Sequence, residues 1–326
     1  MDERPLGTTG ETVTEVGLGT WQIGGDWGDV PADTGREVVR TALDEGVTFL
    51  DTADVYGDGR SERLIADVLA EHDADPFVAT KAGRRLDPHR AADYDLEHLR
   101  EFVDRSRENL DVDVLDLVQL HCPPTDVYYQ PETFDALEAL VDEDRVANYG
   151  VSVERVEEGL KAIEYDGVET VQIIFNPFRQ RPAEHFLDRA ADADVGVIVR
   201  VPYASGLLTG ALSADDEFAE DDHRNFNRDG EAFDVGETFA GVPFDVGLDA
   251  VDELQSRTGV DDLAAFTLRW ILDHDAVTTV IPGTTTPAHV ESNVAAADRP
   301  APTDDERDAV AAVYDEYVRE HVHHRW

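Results

Sequence analysis

Eight short apolar runs punctuate the chain, at 15–20, 47–53, 76–82, 114–121, 145–152, 169–176, 195–202 and 277–283. Segments such as "VLDLVQLH" and "VGVIVRVP" are near-continuous in apolar residues rather than strictly alternating. That is the pattern of parallel strands buried on both faces. Between the runs, apolar residues recur at helical spacing. In "SERLIADVLAEH", Leu64, Ile65, Val68 and Leu69 fall on one face, and "DTGREVVRTALDEG" opens with an acidic or hydroxyl cap and closes at Gly46. The stretches at 95–110, 131–144, 153–165, 182–194, 261–275 and 286–297 follow the same logic. A strict strand–helix alternation with eight strands predicts an α/β fold closed into a (β/α)8 TIM barrel, ahead of a doubly wound sheet. Two segments break the alternation. Residues 1–14 carry two turn signals and predict a β-hairpin capping one end of the barrel. Residues 205–247, after the seventh strand, are acidic and rich in Gly, Asn and Phe; a loop this long is expected to be a functional lid or disordered. With no internal repeat and no linker-like boundary, residues 1–326 read as a single domain.

Charge changes the picture more than hydropathy does. Hydrophobic residues make up 41%, as in an ordinary globular protein, but 72 acids face 27 lysines and arginines, a net charge of −45. Such a field repels nucleic acid and anionic lipid, so neither is an expected partner. The acids are spread in doublets and triplets along the chain, as in a solvated shell, and only Lys81 and Lys161 remain of the lysines. This composition resembles the acidic proteome of salt-in halophiles. Self-repulsion should then be relieved only at molar salt, where the Debye length is about 3 Å. Cys122 stands alone, which excludes an intrachain disulfide and a cysteine-only metal site, and it reads as a small buried filler. No stretch approaches a membrane span and the N-terminus "MDERPLG" starts acidic, so a soluble, cytoplasmic protein is expected.

In a barrel of this kind the chemistry lies at the C-terminal ends of the strands. Those ends carry Trp21, Asp51, Lys81, His121, Ser152, Gln172 and Asn176, with Tyr56 five residues past Asp51. Buried singly, such polar groups would be costly; converging on one mouth they can pair.

The segments "GVTFLDTADVYGDGRSERLIADVLAE", "VATKAG", "DLVQLHCP", "YGVSV", "VQIIFNPF", "VPYASGLLTGAL" and "VIPGTTTPAHVESNV" together resemble the aldo-keto reductase superfamily, in order and over nearly the whole chain. The resemblance implies NAD(P)H-dependent reduction of an aldehyde or ketone, or the reverse reaction on an alcohol or polyol. Asp51, Tyr56, Lys81 and His121 match the family's catalytic set. Tyr56 would donate the proton, and Lys81, held by Asp51, would lower the phenol's pKa from its usual value of about 10. His121 would orient the carbonyl oxygen, and Trp21 and Trp27, with Tyr56 and His121, would contact substrate. An arginine, forked and planar, would not replace Lys81 as a compact point charge.

The cofactor positions implied are Thr20, Trp21, Ser152, Gln172, Arg200, Pro202, Ser205, Gly206 and Leu208, then Gly283, Thr284, Thr285, His289 and Asn293. Departures are visible. Val153 follows Ser152 where an Asn is usual, and Arg200 stands where a tyrosine commonly stacks on the nicotinamide. The residues that often grip a 2′-phosphate are replaced by Gly283, Thr284 and His289. The resemblance therefore favours NADP(H) with weak selectivity, and NAD(H) is also admitted. A regulatory subunit of the same fold, binding cofactor with little turnover, is the alternative reading. No metal is called for.

Overall fold

The structure, a computed structural model, describes residues 1–25 and 30–326. An antiparallel hairpin opens the chain, β1 (Glu3–Pro5) paired with β2 (Thr12–Thr14). Eight parallel strands follow: β3 (Leu18–Gly19), β4 (Phe49–Asp51), β5 (Phe77–Ala82), β6 (Leu115–His121), β7 (Val146–Ser152), β8 (Val168–Ile174), β9 (Gly196–Arg200) and β10 (Val277–Val280). They pair in sequential order, and parallel bridges Val16–Val280 and Gly19–Gly283 join the first strand to the last. The sheet is a closed (β/α)8 barrel, and all eight predicted runs supply its staves.

Side chains alternate between the barrel interior and the helical layer, as the pleat requires. Along β5, Phe77, Ala79 and Lys81 share the inner face, whereas Val78 and Ala82 pack outward into the large core under the helices. Phe49, Ala79, Leu117 and Ile198 fill the lower interior together with Leu6 and Val13 of the hairpin. Two residues further along each of the four strands the inward residue becomes polar: Asp51, Lys81, Gln119 and Arg200. The same alternation thus gives an apolar floor and a polar mouth.

The hairpin closes the floor. Arg4 donates to the carbonyls of Leu272 (2.8 Å) and Val277 (2.6 Å) at the start of β10, and to Glu15 at 2.9 Å. Gly7 (φ +59) passes so near the start of β8 that a Cβ there would lie 2.2 Å from the Glu169 carbonyl oxygen. At the other end, the long insertion after β9 packs down in short helical turns at Ala204–Thr209, His223–Phe226, Val235–Glu237 and Phe239–Gly241. It ends earlier than the sequence suggested, because a 15-residue helix begins at Phe244 and runs to Thr258. The helix Asp304–Val313, opened by a Thr303–Glu306 capping box, was also not anticipated. The chain end holds the insertion in place. Trp326 is buried, donates from Nε1 to Asp234 (2.9 Å) and lies under the Arg179 guanidinium at 4.1 Å. Among the described residues no helix is long and apolar enough to cross a membrane.

Candidate active site

Lys81 ends the inner face of β5 and is 1% exposed. Its ammonium donates to Asp51 Oδ1 at 2.5 Å, to the Thr52 carbonyl at 2.9 Å and to Tyr56 Oη at 3.4 Å. Burial works against this charge, but Asp51 and Tyr56 outweigh it and the lysine pKa lies above its ordinary value. The second carboxylate oxygen of Asp51 accepts from Gln172 Nε2 (2.6 Å) and Gln119 Nε2 (3.3 Å). Asp51 is therefore held on both oxygens, and Lys81 is aimed at the phenol. Gln119 comes from β6 beside Lys81 in register, a partner the sequence reading did not single out.

Tyr56 stands on the turn after β4, edge-on to His121 with ring centroids 5.8 Å apart. The expected lowering of its pKa is not what the surroundings produce. Burial raises it above the ordinary tyrosine value; Lys81 pulls down, but Asp51 and Glu237 push up with burial. His121, 4% exposed, is driven well below its usual pKa first by burial and then by Arg84, Lys81 and Arg200. It is a neutral imidazole whose Nδ1 is buried without a hydrogen-bond partner.

These groups open into a groove of about 620 Å³ across the barrel mouth. Thr20, Trp21, Asp51, Tyr56, His121, Ser152, Gln172 and Arg200 line it at one end, with Pro202, Ser205 and Gly206 in its middle. Gly283, Thr284, Thr285, His289 and Asn293 line the other end. The groove thus gathers all but four of the positions named from the sequence. Lys81 lies just behind Asp51 and Tyr56. Leu208 is fully buried in the hydrophobic core and does not line the groove, a correction to the sequence reading. Trp27 lies outside the described residues. Asn176 does not line the groove either: it donates to the Val201 carbonyl at 2.9 Å and accepts from Phe178 N.

Arg200 is pinned by a charge cluster that sequence reasoning missed. Its Nη2 donates to the Val153 carbonyl (3.1 Å) and to Glu154 (3.0 Å), and Nη1 lies 3.7 Å from Glu237. Arg84 reaches the same two acids, Glu237 at 2.5 Å and Glu154 at 3.3 Å. Burial and the neighbouring Glu237 hold Glu154 protonated up to about 8, although Arg200 and Arg84 pull it down. Glu237 stays ionised: against the push of burial, Arg84 and Arg200 lower its pKa. Cys122, 3.5 Å from Ser152 Oγ, is lifted to about 12 by burial, so it is a thiol and a filler as expected.

The middle of the groove is a strained turn. Val201, Ala204 and Ser205 have φ between 48° and 55°, and Gly206 follows at 102°. The turn is closed on itself: Ala204 N donates to the Val201 carbonyl at 3.1 Å and Gly206 N to the Tyr203 carbonyl at 2.9 Å. Arg224 of the insertion lines the same stretch while its guanidinium grips Asp222 at 2.6 Å. Over the phenol, Trp21 stacks near Tyr56 (6.2 Å) and against His223 (4.8 Å) and Phe233 (5.8 Å) of the insertion, which acts as a lid on that wall. A groove that runs across the barrel mouth, with polar groups at both ends, fits an extended nicotinamide dinucleotide.

The chain is 29% identical to the aldo-keto reductase YhdN of Bacillus subtilis (strain 168), over 90% of this chain and 87% of that protein. Among solved structures it is similar to the aldo-keto reductase AKR11C1 from Bacillus halodurans in its holo form, with a TM-score of 0.77, 26% identity and 96% of each chain covered. The glycerol dehydrogenase AKR11B4 from Gluconobacter oxydans superposes equally well, TM-score 0.77 at 28% identity, over 97% of this chain and 96% of that one. The profile of the Aldo/keto reductase family matches residues 15–315, which span every stave of the barrel and every group around Lys81. Barrel, groove and profile agree, and the chain belongs to the aldo/keto reductase family of NAD(P)H-dependent oxidoreductases.

Proposed function

We propose that the protein reduces an aldehyde or ketone to the alcohol, with Tyr56 giving the proton and Lys81, Asp51 and His121 completing the catalytic set. The observation that carries this is the buried ammonium placed 2.5 Å from Asp51 and 3.4 Å from the Tyr56 hydroxyl. A bound reduced nicotinamide supplies the hydride; the chain's own residues do the rest. Tyr56, kept protonated by burial, does not lose its proton to water at neutral pH but can pass it to a developing alkoxide. The adjacent ammonium then faces the phenolate that forms, stabilising charge only as it appears. Neutral His121 has one N–H to offer the carbonyl oxygen and adds no competing charge.

Ser152, Gln172 and Arg200 would hold the nicotinamide, Ser205 and Gly206 the pyrophosphate, and residues 283–293 the adenosine. Gln172 has spent its Nε2 on Asp51, so its carbonyl oxygen is the atom left to meet a carboxamide N–H. The lid rings against Trp21 would exclude water from the reacting face. The likeness to a glycerol dehydrogenase supports small carbonyls and polyols as the substrate class.

The test is the oxidation of NADH and NADPH at 340 nm with 4-nitrobenzaldehyde in molar KCl, for wild type and Tyr56→Phe. We expect the variant to lose roughly 10²–10⁴-fold in rate with cofactor binding unchanged by fluorescence quenching. A variant retaining half its activity would remove Tyr56 from the role. Cofactor binding without turnover on any carbonyl or polyol would favour the regulatory-subunit alternative.

A further inference from the structure

Away from the groove, three ligand-bearing side chains meet where the chain end packs against the short helix Arg181–His185. Glu184 Oε2 lies 3.5 Å from His323 Nε2 and 3.8 Å from His185 Nε2. One ligand atom of each residue lies within 4.8 Å of the other two, and none of the three residues lines the groove. A second such group among the described residues, Cys122, Glu154 and Glu237, is already filled by the guanidinium groups of Arg84 and Arg200.

The ring of His323 is set by a buried partner. Its Nδ1 is bonded to the Tyr314 hydroxyl at 2.9 Å, and Tyr314 is 2% exposed. That contact leaves Nε2 facing Glu184, which is how an outer-shell group orients a ligating imidazole. Tyr314 opens a single π turn, Tyr314–Val318, an irregularity often found at functional sites. Arg319, just past that turn, holds the gap between the ligands. Its Nη1 donates to Glu184 Oε1 (2.9 Å) and Asp315 (3.2 Å), and its Nη2 lies 3.1 Å from His323 Nε2. Positive charge is thus already accommodated there, and Nη1 keeps two carboxylates if Nη2 gives way.

We propose that Glu184, His185 and His323 form a site for a divalent transition metal of the zinc class, which clasps the chain end to the helix Arg181–His185. Two imidazoles and a carboxylate are a zinc ligand set with a fourth position left to solvent. Ligand atoms about 2.1 Å from a tetrahedral metal stand roughly 3.4 Å apart. The Glu184–His323 pair already has that spacing, and the exposed side chains of Glu184 and His185 can turn to close the rest. Imidazole nitrogen favours zinc, nickel or copper, whereas the acidic shell offers only oxygen, which suits magnesium and calcium. The clasp would bear on the lid. Three residues beyond His323, the Trp326 carbonyl accepts from Arg181 at 2.5 Å, and the Trp326 indole donates to Asp234 of the insertion.

Zinc chloride titrated calorimetrically into the full chain in molar KCl at neutral pH tests the site, with magnesium chloride as the control for the acidic shell. We expect one zinc ion per chain at micromolar concentration, without competition from magnesium. His185→Gln and His323→Gln should each weaken it by about tenfold or more, and Tyr314→Phe, which removes only the orienting hydroxyl, by about tenfold. Arg319→Gln should strengthen binding severalfold, because the competing guanidinium is gone. Zinc should also raise the melting temperature of the wild type but not of His323→Gln, and slow amide exchange over residues 319–326. Zinc binding only at many weak sites shared with magnesium, or binding untouched by either histidine variant, would overturn the proposal. Amide exchange over 319–326 unchanged at saturating zinc would overturn the clasp.

Discussion

The two ends of the groove are built on opposite principles. At the catalytic end the polar groups sit on the tips of β4 to β9 and are buried: Lys81 1%, Asp51 2%, His121 4% exposed. Each is fixed by a rigid strand and paired with its neighbours, because an unpaired charge there would be costly. At the far end, proposed for the adenosine, the groups stand on a strand-to-helix loop and helix starts, the Thr284 and Ser292 hydroxyls are satisfied locally, and Asp262 is open to solvent. The lesson is that the buried end is built for fixed position, where an atom displaced by an ångström matters, and the open end is not.

Breaking the first end should give the largest effect. We expect Lys81→Arg to lose nearly as much activity as Lys81→Met, approaching the 10²–10⁴-fold of a missing general acid. The planar fork cannot sit 2.5 Å from Asp51 and also face Tyr56 without moving one of them. Steady-state rates of both variants check this, and near-normal turnover in Lys81→Arg would show that charge alone suffices.

The next effect concerns the shell against the buried pairs. The exposed acids repel one another through water, and salt screens them, whereas Asp51–Lys81 is sealed from it. The melting temperature should climb between 0.1 M and 3 M KCl, with folding or activity failing below about 0.5–1 M. An unchanged melting temperature over that range contradicts it.

A smaller effect separates the catalytic set from the cluster behind Arg200. Glu154 has its folded pKa raised, to about 8, above the ordinary carboxyl value. Its contribution to stability is therefore complete below the unfolded pKa and is lost as pH rises through 8. Glu154→Gln should flatten the fall in melting temperature between about pH 5 and 8, and an identical fall in both proteins over that range would count against the shared-acid arrangement. Tyr56, raised above its usual value, should not limit reduction anywhere between pH 6 and 9, which a pH–rate series would reveal.

The smallest effect belongs to the far end of the groove. Thr285→Ala removes one hydroxyl from a lining that is partly open, so the dinucleotide dissociation constant should rise only severalfold, the worth of one neutral hydrogen bond of about 1 kcal/mol. A loss as large as that of Lys81→Arg would erase the contrast between the two ends.

Much of this was legible because one periodicity does two jobs. A strand places every second residue on the same face, so Phe49 and Asp51, or Ala79 and Lys81, are both inward, and polar types at the last inward position mark the mouth. The eight staves and the inward places of Asp51 and Lys81 follow from that pattern; the hairpin was read from turn signals, and the grouping of Asp51, Tyr56, Lys81 and His121 as one set from the family resemblance. The helix Phe244–Thr258 was also written there, with Gly247, Ala250, Val251 and Leu254 buried at helical spacing, but it was masked by the glycine-rich stretch before it.

Other features had no local signal. Glu237 meets Arg84 across 153 residues of chain, and Gln172 meets Asp51 across 121. Arg84 and Glu154 lie in acidic or basic loops like many others in this sequence, and only the closing of the barrel and lid brings their charges together. Leu208 sits in a segment of the right composition, yet its backbone turn sends it to the core. The pKa of Tyr56 makes the same point about energy. A lysine nearby implies a lowered value, but desolvation scales with everything packed around the ring, and that sum exists only in the folded protein. Sequence alone determined which strand residues face the barrel interior, since that depends on near neighbours along one strand. Tertiary structure decided their partners and their protonation, since those depend on distances through space and on how much water the packing leaves.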